Sequence, residues 1–320
     1  MSFLQAIILG IVQGLTEFIP ISSTAHLVFA SRAIHVYEKA TPIVIKHIPL
    51  LSSLYESLAL NLRAQQTTAT IAVIQLGTLL AVLIYFAGDI IAIISAFIRD
   101  HLSLLRGRRS FAAISETNKS GRPSRLSQEA WLGWLIIIGS IPVGIVGILF
   151  KKQIEGTFTK NLWVIATMMV VVALFLLLAE AVGRRNRKME NLGVRDALAV
   201  GGAQVLALIP GSSRSGSTIM GGLFAGETRE TAARFSFLLS IPAIAASGLL
   251  ELKEAVHNLP QGSYPALAVA TIVSGIVGYA SIWFLLRYLR THSTGIFIGY
   301  RLIVGIAILV LLYANIISPI

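Results

Sequence analysis

Two short stretches of this chain place hydroxyl, imidazole, carboxylate and guanidinium groups inside otherwise apolar sequence. The first reads Gln13-Gly14-Leu15-Thr16-Glu17-Phe18-Ile19-Pro20-Ile21-Ser22-Ser23-Thr24-Ala25-His26. Gln13 and Glu17, four residues apart, share one face of a helix. An ionisable side chain at membrane depth is costly and marks function more often than structure. Ser23 and His26 share a face if a helix restarts after Pro20, an arrangement that can activate a hydroxyl nucleophile. Ser22, Ser23 or Thr24 can equally cap that helix, and capping is compatible with catalysis.

The second stretch is Pro210-Gly211-Ser212-Ser213-Arg214-Ser215-Gly216-Ser217-Thr218. Glycines let the backbone wrap closely, amides at a helix start attract anions, and the planar fork of Arg214 suits phosphate oxygens. Together these residues make a phosphate cradle. The apolar flanks Val200 to Ile209 and Ile219 to Phe224 leave little room for an exposed Gly/Ser loop.

The elements that position these groups follow from composition. The 320 residues are 55% hydrophobic and 13% charged, and the mean hydropathy is +0.78, so a bilayer is the expected solvent. The net charge of +11 then reads as topology-setting loops and an anionic membrane surface, with no nucleic-acid partner. The absence of cysteine excludes disulfides, thiolate nucleophiles and cysteine metal sites. Met1 to Pro20 lacks a basic start and contains Gln13 and Glu17, so it reads as mature protein, not a cleaved leader.

Apolar runs near the roughly 20 residues needed to cross a bilayer lie at Thr68 to Ala87, Trp131 to Phe150, Leu162 to Val182, Ala233 to Leu250, Ala266 to Leu289 and Ile298 to Ile317. The stretches Leu4 to Ala30 and Asp196 to Phe224 are broken by proline and hydroxyl clusters, and read as helix-turn-helix re-entrant segments facing the protein interior. The expected fold is therefore an all-α polytopic membrane domain of six spans and two re-entrant segments. Basic residues, chiefly Arg99 to Arg125 and Arg184 to Lys188, mark the cytoplasmic side and leave both termini exoplasmic. Arg99 to Ser127 reads as a cytoplasmic loop. Ser31 to Arg63 reads as an interfacial helix, a lid or a long loop.

Ile19-Pro20-Ile21-Ser22-Ser23-Thr24 matches Ile209-Pro210-Gly211-Ser212-Ser213-Arg214, with Gln13 or Gln204 in the preceding helix. Three spans separate the copies, which predicts inverted repeats over 1–160 and 161–320, with a site near the midplane where they meet. Gln75, Glu180, Arg234 and Glu251 read as interhelical hydrogen-bond or ion-pair partners or as snorkelling side chains. Trp131, Trp134, Trp163 and Tyr313 read as an interfacial belt.

The two motifs resemble the signatures of the undecaprenyl-diphosphatases, the bacitracin-resistance membrane phosphatases. Ile74-Gln75-Leu76-Gly77 and Phe235-Ser236-Phe237-Leu238-Leu239 resemble further family segments in the same order, so the resemblance covers nearly the whole chain. It implies hydrolysis of undecaprenyl diphosphate to undecaprenyl phosphate and inorganic phosphate in the bacterial inner membrane, recycling the lipid carrier for peptidoglycan synthesis. Bacitracin would compete indirectly by binding the substrate. A divalent cation, Mg2+ or Ca2+, is implied, with Glu17 as its ligand. Ser23 becomes the nucleophile, His26 its proton partner and Arg214 the phosphate holder. Gln13, Ser22, Thr24, Gly211, Ser213, Ser215 and Thr218 become substrate-binding residues. The chain departs from the family pattern at Gln13, where a glutamate is usual, and at Ala25, where a glycine is common. The resemblance leaves room for a homodimer, and both covalent phosphoserine chemistry and direct attack by water stay open. A transporter that binds a phosphorylated lipid without cleaving it is the rival class, since broken helices in inverted repeats are a transporter plan.

Overall fold

A computed structural model describes residues 1–34, 36, 66, 69–106, 126–150, 161–258 and 264–319. Helix α1, Phe3–Phe18, starts at a reciprocal cap: the Gln5 amide donates to Ser2 Oγ at 3.2 Å and the Ser2 amide to Gln5 Oε1 at 2.8 Å. It stops two residues short of Pro20, because proline pushes its predecessor out of the helical region and has no amide to donate. Helix α2, Ser23–Ala33, restarts after a four-residue turn. Helices α3, Ala69–Tyr85, and α4, Ala87–Leu105, meet at a bend of 69°. Then come α5, Gln128–Leu149, and α6, Leu162–Val182. A second hairpin follows, built of α7, Val194–Val205, a 3-10 turn at Leu206–Leu208, and α8, Arg214–Phe224. Three long helices close the chain: α9, Arg229–Asn258; α10, Tyr264–Leu289; and α11, Gly295–Tyr313.

Five of these helices are long and apolar enough to cross a membrane, or six when the bent pair α3–α4 counts as one span. The chain is thus a multi-pass, all-helical membrane protein among its described residues, where the only β contact is an isolated bridge between Arg187 and Glu227. Large apolar side chains such as Ile84, Ile91, Ile148, Ile276 and Ile303 face outward, as a lipid solvent requires.

Lipid tails are as apolar as leucine, so helix association here depends on close packing more than on water exclusion. Small residues supply that closeness. A Cβ added to Gly14 would lie 2.8 Å from the Ser274 carbonyl oxygen, and one on Gly77 would lie 2.1 Å from that of Thr271, so α1 and α3 both press onto α10. The Ser274 hydroxyl donates to the Ile74 carbonyl at 2.7 Å across the same contact. Beside it, Phe18 and Phe237 meet edge to face at 5.4 Å, and Phe86 packs on Phe237 at 6.3 Å. This aromatic cluster ties the end of α1 to α3 and α9.

Three sequence expectations are corrected. The run Thr68 to Ala87 is not one straight span, since its helix bends at Phe86 and continues as α4. The stretch read as a loop from Arg99 is helical through Leu105, and Asp100, buried, accepts the Ser127 amide at 2.8 Å, which pins the start of α5 to α4. The last span begins at Gly295 and ends at Tyr313, earlier at both ends than expected. Trp131 and Trp134 do more than face an interface, as their indoles donate to the Leu192 carbonyl at 3.2 Å and to His101 Nε2 at 3.1 Å. Most of Ser31 to Arg63, and residues 107–125 of the expected cytoplasmic loop, lie outside the described residues.

Candidate active site

The two proline-containing turns meet. The Arg214 guanidinium, at the first residue of α8, forms an ion pair through Nη2 with Glu17 Oε1 near the end of α1. Gln13 Nε2 donates to Glu17 Oε2 at 3.1 Å, as expected for the i, i+4 spacing. The Ser215 hydroxyl donates to the Ile19 carbonyl at 3.3 Å, a second link between the turns.

Both turns use a serine in the left-handed region immediately before the restarting helix, Ser22 at φ 78° and Ser213 at φ 65°. Such a conformation costs a non-glycine residue on the order of 1 kcal/mol and persists only where the surroundings impose it. At Ser213 the return is visible: its Oγ accepts the Gly216 amide at 3.2 Å and lies 3.2 Å from Ser215 Oγ, so it caps α8. Gly211, at φ 90°, has a second constraint, because a Cβ there would lie 2.1 Å from the Ile165 carbonyl oxygen.

The remaining sequence-derived residues divide by exposure. Ser23, His26, Ser213 and Arg214 are half-buried and Thr24 is exposed, so these form the accessible rim. Thr218 is fully buried and donates to the Arg214 carbonyl at 2.7 Å, with Ser236 Oγ against the same hydroxyl. It shapes the first turn of α8 from beneath. Ser22, Ser212 and Ser217 have buried hydroxyls with no hydrogen-bond partner among the described residues.

Ser23 and His26 share a helix but not a hydrogen bond. His26 Nδ1 lies 2.7 Å from the Ser22 carbonyl oxygen and Nε2 lies 2.6 Å from the Tyr300 hydroxyl. A carbonyl only accepts, so Nδ1 carries the proton in this arrangement. Neutral His26 then presents an unprotonated Nε2 that accepts from Tyr300. Ser23 stands at the first position of α2, and its hydroxyl has no hydrogen bond among the described residues.

Sequence reasoning missed Tyr300 and its neighbour Arg301. Arg301 is fully buried in α11, and its Nε donates to the Met169 carbonyl at 3.2 Å. Nη1 reaches the Pro20 carbonyl at 3.4 Å, and Nη2 reaches those of Met168, Gly211 and Ser212 at 3.3, 3.0 and 3.0 Å. One guanidinium therefore grips the backbone of both turns and of α6. A lone arginine within the apolar run 298–317 was the available signal.

A divalent cation would find a small but chemically suitable donor set. Glu17 supplies the carboxylate, and Gln13 Oε1 is buried without a partner. No cluster of three or more His, Cys, Asp or Glu side chains is placed to hold a metal among the described residues. Such a set would give a magnesium-like ion two protein oxygens, with its remaining ligands drawn from phosphate and water.

Comparison with known proteins adds an independent line. The family model described as bacitracin resistance protein BacA matches residues 6–307. A protein of Syntrophobacter fumaroxidans named undecaprenyl-diphosphatase is 44% identical over 315 residues, covering 98% of this chain and 99% of that protein. Proteins of the same name from Mycolicibacterium vanbaalenii and Chlorobium phaeovibrioides are 41% and 44% identical, each over 100% of both chains.

Proposed function

Since the chain belongs to the bacitracin resistance protein BacA family, we propose that it is an integral membrane phosphatase that hydrolyses undecaprenyl diphosphate to undecaprenyl phosphate and inorganic phosphate. The observation that carries this reading is the Arg214–Glu17 pair, which joins an anion-binding helix start to a turn bearing Ser23 and His26. A transporter needs the arginine and the amides, but gains nothing from a hydroxyl and an oriented imidazole beside them.

The lipid tail stays in the bilayer while the diphosphate enters between the two turns. Arg214 and the free amides at the start of α8 neutralise charge on the transferred phosphoryl group. Glu17 and Gln13 Oε1 would hold a divalent cation, Mg2+ or Ca2+, which supplies further charge neutralisation on the phosphate oxygens. Ser23 Oγ forms a bond to the terminal phosphorus as the bond from that phosphorus to the bridging oxygen breaks. The serine proton passes to His26 Nε2, and undecaprenyl phosphate leaves. Water then cleaves the phosphoserine and restores the hydroxyl.

The orientation of His26 toward Tyr300 favours a second version, in which His26 and Tyr300 activate water directly and Ser23 only binds phosphate. Rapid quenching with phosphorus-labelled substrate separates them: phosphoserine at Ser23 supports the covalent route, and full hydrolysis by Ser23→Ala removes it.

The two hairpins are read as inverted copies, the first entering from the exoplasmic side of the bacterial inner membrane, so substrate access is assigned to that side. The activity would return the lipid carrier to peptidoglycan synthesis and so confer bacitracin resistance, since hydrolysis consumes the lipid that bacitracin binds. Phosphate release by the purified protein from undecaprenyl diphosphate, with and without chelator, is the primary test. Cation-dependent release is expected, whereas lipid translocation without any release would establish the transporter.

A further inference from the structure

A cavity of about 480 Å³ opens where α9 begins and α10 ends, lined also by Gln128 at the start of α5 and by the 185–190 connector. It shares no residue with the site between the turns. Five cations line it, Arg185, Lys188, Arg229, Arg234 and Arg290, against the lining carboxylates Glu190 and Glu230.

Four of the cations are fixed at one edge by a carboxylate. Glu180 Oε1 accepts from Arg185 Nη1 at 3.1 Å and from Arg229 Nε at 2.6 Å, while its Oε2 accepts the Thr294 hydroxyl at 2.8 Å. Glu230 accepts from Arg290 Nε at 2.8 Å, and Asp89 from Arg234 Nη2 at 2.8 Å. Counting Glu180, Asp89, Glu190 and Glu230 against the five cations leaves one positive charge in excess, and Lys188 has no ion pair among the described residues. Because each pair occupies only part of a guanidinium, further N–H groups stay free to donate.

Two backbone features point the same way. The first turn of α9, a 30-residue helix capped by Thr228 Oγ1 on the Thr231 amide at 3.2 Å, lines the cavity, so the helix dipole favours an anion there. Arg185 is held at φ 51°, a conformation in which Cβ crowds the backbone carbonyl and which persists only under constraint. A general excess of basic residues on the cytoplasmic side would set topology without converging on one cavity and without carboxylates that aim each arginine.

We propose that this cavity binds a phosphate group, carried either by an anionic phospholipid headgroup or by free inorganic phosphate. Basic pockets between helix ends on the cytoplasmic side are suited to that chemistry. The arginines supply bidentate donors, and Lys188 supplies the unpaired charge.

The test uses the full chain in detergent. Native mass spectrometry reads retention of phosphatidylglycerol against phosphatidylcholine, and phosphorus NMR reads binding of inorganic phosphate. The variant R185Q/K188Q removes two cavity charges, and the charge-matched control R99Q/R195Q removes two from exposed positions outside it. At least tenfold weaker binding of phosphatidylglycerol, of inorganic phosphate, or of both is expected for the cavity variant, with the control within twofold of wild type. Phosphatidylglycerol loss alone identifies the lipid source, and phosphate loss alone the free ion. Equal weakening in both variants, or no binding of either probe by wild type, overturns the proposal. Release of phosphate from undecaprenyl diphosphate should stay at the wild-type rate in both variants, which keeps this outcome separate from that of the reaction site.

Discussion

The two proline turns have similar sequences and different states of completion. The second is closed: Ser213 caps α8, Thr218 and Ser236 bond beneath it, and Gly211 and Ser212 give their carbonyls to Arg301. The first is open: the Ser23 hydroxyl has no hydrogen bond among the described residues, Thr24 is exposed, and His26 is held by a tyrosine that is itself 41% exposed. A rigid turn suits a group that must hold a charged phosphate without rearranging, and an accessible, unbonded hydroxyl suits a group whose bonds change during reaction. On the proposed function, one turn holds and the other reacts, with the Glu17–Arg214 pair as the joint.

Removing the holding group should do the most damage. Arg214→Ala is expected to lower kcat/KM for undecaprenyl diphosphate by about 10³-fold or more, the range seen when an arginine that stabilises phosphoryl transfer is lost. Arg214→Lys should recover only part of that, because an ammonium lacks the planar fork. If Arg214→Ala kept activity within tenfold, the division of labour between the turns would fail. Next in size is Arg301→Met, which withdraws the guanidinium from the five carbonyls of Pro20, Met168, Met169, Gly211 and Ser212. A loss of roughly 1–3 kcal/mol or more is expected, the cost of leaving buried acceptors without a donor, read as a lower midpoint of thermal unfolding in detergent. Because Arg301 serves both turns, the loss should appear even with no substrate present.

The base of the closed hairpin carries its own titration. Glu227 follows α8 and is fully buried, with neither carboxylate oxygen hydrogen-bonded among the described residues. Burial, reinforced by nearby Asp196 and opposed by Arg187, pushes its carboxyl up to about 8. The folded protein then holds a proton that the unfolded chain releases near its ordinary value of 4.5. Stability contributed by the neutral acid is full below that ordinary value and falls as pH rises toward the folded one, by about 1.4 kcal/mol per unit at most. Glu227→Gln should flatten this decline between pH 6 and 8. Thermal unfolding at both pH values would show it, and an unchanged pH dependence would remove Glu227 as its source.

What the sequence made legible followed from local rules. Proline, with the hydroxyl residues after it, located both breaks, the i, i+4 spacing placed Gln13 on Glu17, and the uninterrupted apolar run 162–182 coincides with α6. What stayed hidden depends on distant partners. Nothing near Arg301 in sequence distinguishes a core clamp from a residue tolerated near the end of a span, because its five acceptors come from α6 and from both turns. The bend at Phe86 has no proline to announce it. Asp100 stood among charges that read as a loop, although it lies in α4 and its carboxylate anchors the Ser127 amide. The pairing of His26 with Tyr300 joins positions 274 residues apart, and periodicity carries no trace of it.

That pairing supports the smallest of the expected effects and the sharpest question about the open turn. Tyr300→Phe keeps the ring that lies nearly parallel to His26, 15° between planes and 5.6 Å between centroids, and removes only the hydroxyl. The Ser22 carbonyl still fixes the proton on Nδ1, so the tautomer should survive while Nε2 loses its donor. A hydrogen bond of this kind is worth about 1–2 kcal/mol, so kcat should fall roughly tenfold with KM nearly unchanged. Nitrogen NMR of labelled histidine provides the readout that a merely structural role would not move: the Nε2 resonance should shift toward that of an unbonded, unprotonated nitrogen, with Nδ1 unaffected. A purely packing role for Tyr300 predicts neither the shift nor the selective loss in kcat, because the aromatic contact is retained. A larger fall in KM-dependent rates than in kcat would instead move Tyr300 from the reacting turn to the holding one.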